Sequence, residues 1–312
     1  MDVTVIIVTR NTCALTTAAV ASVFERRDDL AVEVVVVDNG STDGTEGAIR
    51  ARFPAVKYHA AGCNLGFGRA NNVGAAEARG AFVLLLNSDA RLEPNALARA
   101  VAALRSHPDW GIVGAHLMNP DGSPQNSIAN YPTLATELLN KSLLRRLFPR
   151  RYPGKEQHYT APLAVETVIG AFMLIRREVW DRLGGFDERY FFFFEETDLC
   201  LGTVRAGWKV VHLPEVRVWH HQGGTAKKVS AAARIEYWRS RYRYFRKNHG
   251  PAALLVLGAG LLLRLVVSVV TQNLFRLVTL GRSERWSDRA RVSNALLGWH
   301  GRGCPANMGL AR

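Results

Sequence analysis

Short apolar runs alternate with helical stretches over the first hundred residues. Three runs of aliphatic and β-branched residues begin at Val3, Val32 and Phe82, and they read VTVIIVT, VEVVVVD and FVLLLNSD. Helices are predicted at about 12–27 and 67–79. Continuous apolar strands separated by helices are typical of a parallel sheet covered on both faces. We therefore predict an α/β fold with a mostly parallel, twisted sheet flanked by helices.

Polar residues stand at the carboxyl end of each of these strands. They are Thr9, Arg10 and Asn11 at the first, Asp38, Asn39 and Ser41 at the second, and Asn87, Ser88 and Asp89 at the third. Sheets of this kind bind ligands at the carboxyl ends of their strands, so we expect a ligand site there. The Asp38 carboxylate could accept a hydrogen bond from N3–H of uracil or thymine. It could equally hold an Asx turn with a helix cap behind it.

The end of the third strand also offers metal ligands. Asn87 and Asp89 are two residues apart in an extended segment, so their side chains can face the same side. Asp89 could bind Mg²⁺ or Mn²⁺, or it could cap a helix that begins near Pro94. His220 and His221 follow the last predicted strand, and one of them, in its neutral form, could be a further ligand.

The segment NLGFGRANNVG, beginning at Asn64, contains a Gly-x-Gly pair. It does not follow the first strand, and its acidic residue lies upstream, so it is a poor match to the dinucleotide-binding fingerprint. The alternative is that Gly66 lets a helix N-terminus approach a diphosphate. Arg69 and Asn71 would then contact the ligand.

Four phenylalanines run directly into three carboxylates in FFFFEETDLC, where Glu195, Glu196 and Asp198 follow Phe194. Burying the aromatic rings draws the acids into a low dielectric, which disfavours their charged forms. A purely structural explanation is that the acids favour the N-terminus of a helix. A chemical one is that the aromatic neighbours raise the pKa of a general base towards working pH.

The alternation breaks down at 119–162, where Pro, Asn and Ser are frequent and a basic cluster includes Arg145. We expect a basic, flexible insertion over the sheet. A strand that runs into a helix is predicted at 168–180, and two short strands at 209–221. A helix at 230–248 interleaves arginines with aromatic residues, and an apolar stretch follows at 251–280.

Residues 252–271 are nearly long enough to span a bilayer. Arg264 lies within them, however, and a central arginine costs about 2.5–3.5 kcal/mol on insertion scales. A polar stripe recurs at four-residue spacing, formed by Arg264, Ser268, Gln272 and Arg276. This favours a helix in the plane of the membrane interface, with flanking arginines on lipid phosphates. The alternative is that the stretch packs on the catalytic domain or on a second subunit.

The amino-acid composition limits the kinds of partner and site that the protein can have. Apolar residues make up 48% of the 312 residues, and the net charge of +13 calls for an anionic partner. The four cysteines are far apart, without a C-x-x-C pair, which argues against a zinc site or a disulfide framework. The N-terminus goes straight into the first strand, so no signal peptide is expected.

The order of these motifs over residues 1–225 resembles glycosyltransferase family 2, and most of all its bacterial rhamnosyltransferase-type members. The resemblance implies a GT-A fold, a dTDP- or UDP-linked sugar donor, a divalent metal and inversion at the anomeric carbon. Carried over by position, Asp38 binds the nucleobase, Asp89 and His220 lie on the metal side, and Glu196 is the base. Glu195 supports the site. Asp198 would cap the following helix and orient the site.

The same resemblance divides the chain into a catalytic domain at 1–225 and a membrane-associating helical tail at 226–312. The catalytic domain would comprise a nucleotide-sugar part at 1–118, the insertion at 119–162 and an acceptor part at 163–225. Two departures from the family pattern stand out: Asn87 replaces the usual Asp of the metal motif, and Glu196 replaces the usual Asp of the base. We expect a looser metal and a base one methylene longer.

The function expected from these features is transfer of a sugar to a glycan carried on polyprenyl diphosphate, in cell-envelope polysaccharide synthesis. The enzyme would act at the cytoplasmic face of the membrane, on an anionic surface, and no nucleic acid partner is expected. Two alternatives remain open at this point. One is a sugar-1-phosphate nucleotidyltransferase, and the other is a non-enzymatic basic protein that binds membrane or nucleic acid on the same scaffold.

Overall fold

The structure is a computed structural model, and it describes residues 1–149, 159–221 and 231–311. Part of the predicted basic insertion, at 150–158, lies outside the described residues. The predicted boundary between catalytic domain and tail, at 225/226, also lies outside them.

The first part of the chain alternates strands and helices as its sequence predicts. The elements are β1 (Val3–Thr9), α1 (Cys13–Glu25), β2 (Val32–Asp38), α2 (Thr45–Arg52), β3 (Lys57–Ala60), α3 (Phe67–Ala76), β4 (Phe82–Asn87), β5 (Ala90–Leu92), α4 (Ala96–Ser106) and β6 (Trp110–Met118). The three apolar runs are confirmed as β1, β2 and β4. The short strand β3 was not predicted, because its sequence KYHA has neither an apolar run nor a clear alternation.

The remainder holds shorter strands and most of the long helices. The elements are β7 (Ile128–Ala129), α5 (Leu134–Leu138), α6 (Lys141–Leu147), β8 (Leu163–Ala164), β9 (Thr167–Val168), β10 (Phe172–Arg176), α7 (Arg177–Leu183), α8 (Glu195–Arg205), β11 (Lys209–His220), α9 (Ala231–Asn248), α10 (Gly250–Val278) and α11 (Glu284–Gly301). Helices α5 and α6 lie where the sequence predicted only irregular chain.

The main sheet is mixed. Its strands follow the order β3-β2-β1-β4-β10-β6-β11-β5, with β8 beside β11. The β3-β2-β1-β4 half is parallel, as predicted, whereas β10 is antiparallel to both β4 and β6. Because β11 runs parallel to β6, the carboxyl ends of β1, β2, β4, β6 and β11 lie on one edge of the sheet. Every predicted strand-end residue therefore lies on that edge.

Residues 209–220 form one strand, β11, rather than the two short strands that the sequence suggested. Pro214 lies in the middle of this strand. The pairing of β11 with β6 shifts register between Leu213 and Arg217, which is the signature of a bulge. A bulge tolerates proline because the residues it displaces make no ladder hydrogen bond.

Two apolar layers cover the sheet, and a third cluster joins the tail to it. Alternation along β1 sends Val5 and Ile7 towards α1 and α4, and Ile6 towards the face that α3, α7 and α8 cover. In the third cluster, Tyr190 and Phe194 pack with side chains of α9, α10 and α11. The tail thus shares a core with the catalytic part.

Helix α10 has one face on the protein and one face free. Leu257, Leu261 and Leu265 are buried, whereas Leu263 is 67% exposed. Arg264 donates a hydrogen bond to the main-chain oxygen of Glu137 on α5, 2.8 Å away. The predicted polar stripe therefore faces the protein at this point. Within the described residues, α10 is the one helix long and apolar enough to cross a bilayer.

A pair of helical glycines tests the packing of α3 on the sheet. A Cβ at Gly74 of α3 would lie 2.6 Å from Cγ2 of Ile6 and 3.2 Å from Cγ2 of Val37, whereas one at Gly47 of α2 would meet nothing within 4 Å. We expect Gly74→Ala to lower the free energy of unfolding by about 1–3 kcal/mol. Gly47→Ala should raise it by about 0.5–1 kcal/mol, because alanine favours helix.

Urea denaturation of both variants checks this expectation. Equal changes in the two variants would show that α3 does not pack as closely on β1 and β2 as the structure places it.

Candidate active site

Asp38, at the end of β2, is held by its neighbours. The carboxylate is 5% exposed and accepts hydrogen bonds from the amide and the hydroxyl of Ser41, at 2.8 and 2.6 Å, and from the hydroxyl of Tyr58. Burial, together with this bond to Asp38, raises the pKa of Tyr58. A carboxylate has about four acceptor sites, so one remains for a ligand N–H. Tyr58 was missed by sequence analysis because it lies on β3.

Several of the other predicted donor-site residues bind the protein itself. The hydroxyl of Thr9 lies 2.7 Å from that of Thr16, and Asn71 donates to the main-chain oxygen of Phe67. Asn39 donates to the oxygen of Gly66, at 2.9 Å. These buried side chains position the loops around the site, so we assign them a supporting role.

The loops after β1 and β2 are joined to each other. Asn11, which has a positive φ of 52°, donates its amide N–H to the hydroxyl of Ser41, and its side-chain oxygen accepts from the amide of Thr42. Arg10 is exposed at the same point. Of the residues predicted at the end of β1, Arg10 and Asn11 are exposed, and Asn11 already binds the neighbouring loop through its side-chain oxygen.

The NLG loop lies against the acidic motif. A Cβ on Gly66 would come within 2.1 Å of the main-chain oxygen of Phe191, and the amide of Phe67 donates to that oxygen at 3.1 Å. Only glycine permits this approach. Asn64 accepts from the amide of Gly66, and the exposed Arg69 lies 3.7 Å from a carboxylate oxygen of Glu188.

The residues predicted to lie near the metal are close together in space, although 131 positions separate Asp89 from His220 in the sequence. Nε2 of His220 lies 3.2 Å from Oδ1 of Asp89 and 3.4 Å from the amide nitrogen of Asn87. On the opposite side of the ring, Nδ1 lies 2.9 Å from Oε1 of Gln125. Ser88 is set apart from this group and accepts from the hydroxyl of Thr12, at 3.1 Å.

The hydrogen bonds of Gln125 indicate which ring nitrogen of His220 carries the proton. Its side-chain amide donates to the main-chain oxygen of His220 and to Asn119, so its Oε1 must accept from Nδ1–H. In the neutral ring the Nε2 lone pair then faces the carboxylate of Asp89, so that two acceptors lie 3.2 Å apart, with the side-chain nitrogen of Asn87 3.4 Å from Nε2. Such a pair fits a cation between them, and an outer partner such as Gln125 orients a ligating histidine in this way.

Asp89 offers the carboxylate that Mg²⁺ and Mn²⁺ prefer, and a neutral His220 could be a further ligand. In residues 1–149, 159–221 and 231–311, no group of three or more acidic, histidine or cysteine side chains could hold a metal. The protein would therefore supply few ligands here, and phosphate oxygens and water would complete the coordination, as is usual for Mg²⁺.

The acidic motif begins helix α8 in a strained conformation. Phe193 and Phe194 both have φ of 72°, in the left-handed region, and the helix begins at Glu195. Aromatic contacts with α9 hold both rings: the centroid of Tyr237 lies 5.4 Å from that of Phe193 and 5.2 Å from that of Phe194. The hydroxyl of Ser240 donates to the main-chain oxygen at position 192.

Burial raises the pKa of both glutamates. In Glu195, which is 3% exposed, the charge of Glu196 adds to the effect, and in Glu196 burial is the main cause. Oε2 of each residue has no hydrogen-bond partner within the described residues. Glu196 lines a cavity of about 190 Å³ together with Tyr237 and Thr197, whereas Glu195 packs against Gly68. Of the two glutamates, Glu196 is therefore the one that borders a cavity.

The Gly170–Ala171 segment connects the two parts of the site. A Cβ on Gly170 would lie 4.0 Å from Cβ of Glu196, and the main-chain oxygen of Ala171 accepts from the amide of Asn87 at 3.1 Å. The buried carboxylates and the metal-side residues are therefore near neighbours at the edge of the sheet.

Asp198 does not cap α8, contrary to the sequence prediction. It lies inside the first turn of the helix and is 8% exposed. Its carboxylate accepts from Nζ of Lys247 at 2.6 Å and from the amide of Asn248 at 2.9 Å. Lys247 also binds Asp187, whose pKa is lowered by hydrogen bonds from Arg189 and from this lysine. Asp198 thus fastens α8 to the end of α9.

The sequence is similar to those of known proteins. The profile of glycosyl transferase family 2 matches residues 4–184. An N-acetylglucosaminyl-diphospho-decaprenol L-rhamnosyltransferase of Mycobacterium tuberculosis is 30% identical over 70% of this chain and 76% of its own length. A dTDP-rhamnosyl transferase of Shigella flexneri is 24% identical over 72% and 74%.

The fold also has solved counterparts. A mannosyltransferase from Pyrobaculum calidifontis, in complex with GDP-Man and Mn²⁺, superposes with a TM-score of 0.52. The match covers 96% of this chain and 86% of that one at 19% identity, so it shows the fold alone.

We expect Asp89→Ala to abolish the Mn²⁺-dependent rise in melting temperature that UDP or dTDP produces. A ligand that binds the native state stabilises it by mass action, and the variant lacks the carboxylate of the metal side. The matched control is Asp109→Ala, at the opposite edge of the sheet, where the carboxylate pairs with Lys209.

Thermal shift with and without Mn²⁺ measures the effect. If Asp89→Ala keeps the full Mn²⁺-dependent shift, the assignment of the metal side is wrong.

Proposed function

The chain belongs to glycosyltransferase family 2, and we propose that it transfers rhamnose from a nucleoside-diphosphate donor to a glycan carried on polyprenyl diphosphate, with inversion at the anomeric carbon. One observation carries the proposal. Glu196, which lines a cavity and whose Oε2 is buried without a hydrogen-bond partner among the described residues, lies beside the segment that also contacts Asn87, next to the facing acceptors of Asp89 and His220. A base beside a diphosphate site suits the displacement of a nucleoside diphosphate.

The donor part of the proposal rests on Asp38 and on the relatives. Asp38 retains one acceptor site for N3–H of uracil or thymine, and cytosine has no donor at that position. Two relatives bear the names of rhamnosyltransferases, and one of them names dTDP. We therefore propose dTDP-rhamnose as the first donor to test and UDP-sugars as the second.

Asp89 and His220 would hold a divalent ion, Mn²⁺ or Mg²⁺, with Asn87 beside them. When bound, such an ion neutralises charge on the departing diphosphate. The imidazole must be neutral to serve, and Gln125 holds it in the tautomer that leaves Nε2 free for this purpose.

Glu196 acts as the general base. Its carboxylate takes the proton of an acceptor hydroxyl while that oxygen attacks the anomeric carbon from the face opposite the diphosphate. The bond from carbon to acceptor oxygen forms, the bond to the diphosphate oxygen breaks, and its electron pair leaves with the diphosphate. Because burial raises the pKa of Glu196, the carboxylate is a stronger base than an exposed glutamate. Glu195 and Asp198 position the helix that carries it.

The acceptor is proposed to be lipid-linked. One relative's name specifies a diphospho-decaprenol acceptor. In this chain the outer face of α10 exposes a row of large apolar side chains, including Leu263, Val267 and Leu274. Such a face can lie in the membrane interface while flanking arginines contact lipid phosphates. We propose that the enzyme acts there, at the cytoplasmic face.

The variant Glu196→Gln tests the base. Glutamine keeps the shape of the side chain and cannot take a proton at neutral pH, so turnover should fall by about 10²–10⁴-fold. Binding of nucleoside diphosphate with Mn²⁺ should stay unchanged, because the metal side is intact. The matched control is Glu195→Gln, which should lose less activity because it does not line the cavity.

Turnover and donor affinity are measured for both variants. If Glu195→Gln is the inactive variant and Glu196→Gln is active, Glu195 is the base and the role of Glu196 has been assigned wrongly.

A further inference from the structure

A wide groove lies between α5, α9, α10 and α11, with a volume of about 1450 Å³. Five arginines and two carboxylates line it, so its charge is positive. We call it the arginine groove and define it by Arg234 and Arg241 of α9, Arg264 of α10, and Arg289 and Arg291 of α11.

Two of these arginines already have acidic partners. Arg241 lies 3.3 Å from a carboxylate oxygen of Glu137 and stacks on the rings of Tyr237 and Trp238, and Arg291 lies 3.0 Å from Asp288. These contacts build the wall of the groove.

The other three arginines supply the excess charge. Across the described ranges of the chain, no carboxylate lies within ion-pair distance of Arg234, Arg264 or Arg289. All three are exposed. The one hydrogen bond of Arg264 to the oxygen of Glu137 leaves most of its five N–H donors available. Guanidinium groups with spare donors bind phosphate oxygens strongly, because their forked geometry matches them.

The groove has an apolar side as well. Leu261 and Leu265 of α10 and Leu296 of α11 line it next to the arginines. The same helix α10 turns its free apolar face, with Leu263 and Val267, away from the groove. A ligand with an anionic head and a hydrocarbon chain would therefore meet arginines in the groove and the membrane-facing side of α10 at its rim.

The groove lies next to the smaller cavity that contains Glu196. Thr136, Glu137 and Tyr237 line both the groove and this cavity. Burial raises the pKa of Tyr237, and the charges of Glu137 and Glu196 contribute to the shift. These side chains lie between the groove and the cavity of the proposed base.

We propose that the arginine groove binds the diphosphate of the lipid-linked acceptor. Its prenyl chain leaves along the outer face of α10, and its first sugar extends past Tyr237 to Glu196. This assignment rests on the proposed function, and it adds a location for the acceptor. The diphosphate of the acceptor and that of the donor then occupy separate sites, one among arginines and one at Asp89 and His220.

The test uses farnesyl diphosphate as a soluble prenyl diphosphate, with the full chain and with saturating UDP and Mn²⁺ to block the donor site. The groove variant is Arg234→Gln with Arg289→Gln, and both side chains are exposed. The control is Arg276→Gln with Arg282→Gln, which removes the same charge from exposed positions of the tail outside the groove.

We expect the groove variant to bind farnesyl diphosphate about tenfold to a hundredfold more weakly, because each lost charge-assisted bond weakens binding severalfold or more. The control should bind it within about twofold of the unmodified protein, since screened surface charges contribute little. Inorganic pyrophosphate should compete for the site. Calorimetry measures the affinity of farnesyl diphosphate for the unmodified protein, the groove variant and the control. Melting temperatures verify that the variants fold.

Three results would overturn the proposal: unchanged binding in the groove variant, equal loss in the control, or failure of pyrophosphate to compete.

A separate experiment measures how the same variants bind vesicles of phosphatidylglycerol. If the groove variant loses vesicle binding while it keeps farnesyl diphosphate, the groove serves lipid headgroups instead. Because these readouts need no turnover, they can fail while Glu196→Gln behaves as expected, which separates the groove from the proposed reaction.

Discussion

The site depends on the backbone at Phe193 and Phe194, two large residues held in the left-handed region before α8. Such a conformation costs of order 1–3 kcal/mol per residue and persists only where the surroundings enforce it. Here α9 enforces it, through the contacts of Tyr237 with both rings and the ion pair of Lys247 with Asp198. This turn places two carboxylates at a buried helix start, and α9 in turn connects that start to the tail. The packing of the aromatic residues before α8 therefore holds the two glutamates in their buried position.

The same arrangement opposes stability. Burial raises the pKa of Glu195 and Glu196 in the folded protein above their unfolded values. Between those values the folded state binds more protons than the unfolded chain, so the free energy of unfolding falls as pH rises through that range. At neutral pH the pair therefore destabilises the fold. A purely structural role at a helix N-terminus would favour well-solvated, hydrogen-bonded carboxylates, whereas Oε2 of each glutamate has no partner within the described residues.

Sequence analysis predicted the elements with a strong local signal and the residues that end them. The apolar runs gave β1, β2 and β4, and the common edge of the sheet brought Asp89 and His220 together as expected. The direction of a strand and the long-range partners of a side chain leave no such signal in the local sequence. An apolar run reads alike in either direction, so the antiparallel β10 was not foreseen, and Pro214 hid the continuity of β11. Gln125 lies in a segment without periodicity, and nothing in the sequence pairs it with a histidine 95 positions away. The partners of Asp198 were likewise unpredictable, because Lys247 and Asn248 follow on a different helix.

The central claim is that a desolvated glutamate pair supplies the base for sugar transfer, next to a metal-binding edge and beneath a membrane-associated tail. The most direct measurement is the pH dependence of kcat for the unmodified enzyme with saturating donor and acceptor. The base must be ionised to work, and its pKa is raised, so activity should be lost as pH falls. We predict that kcat decreases tenfold per pH unit below an apparent pKa that belongs to the pair and lies above the ordinary glutamate value of about 4.3. A kcat that stays constant down to that ordinary value would contradict the account.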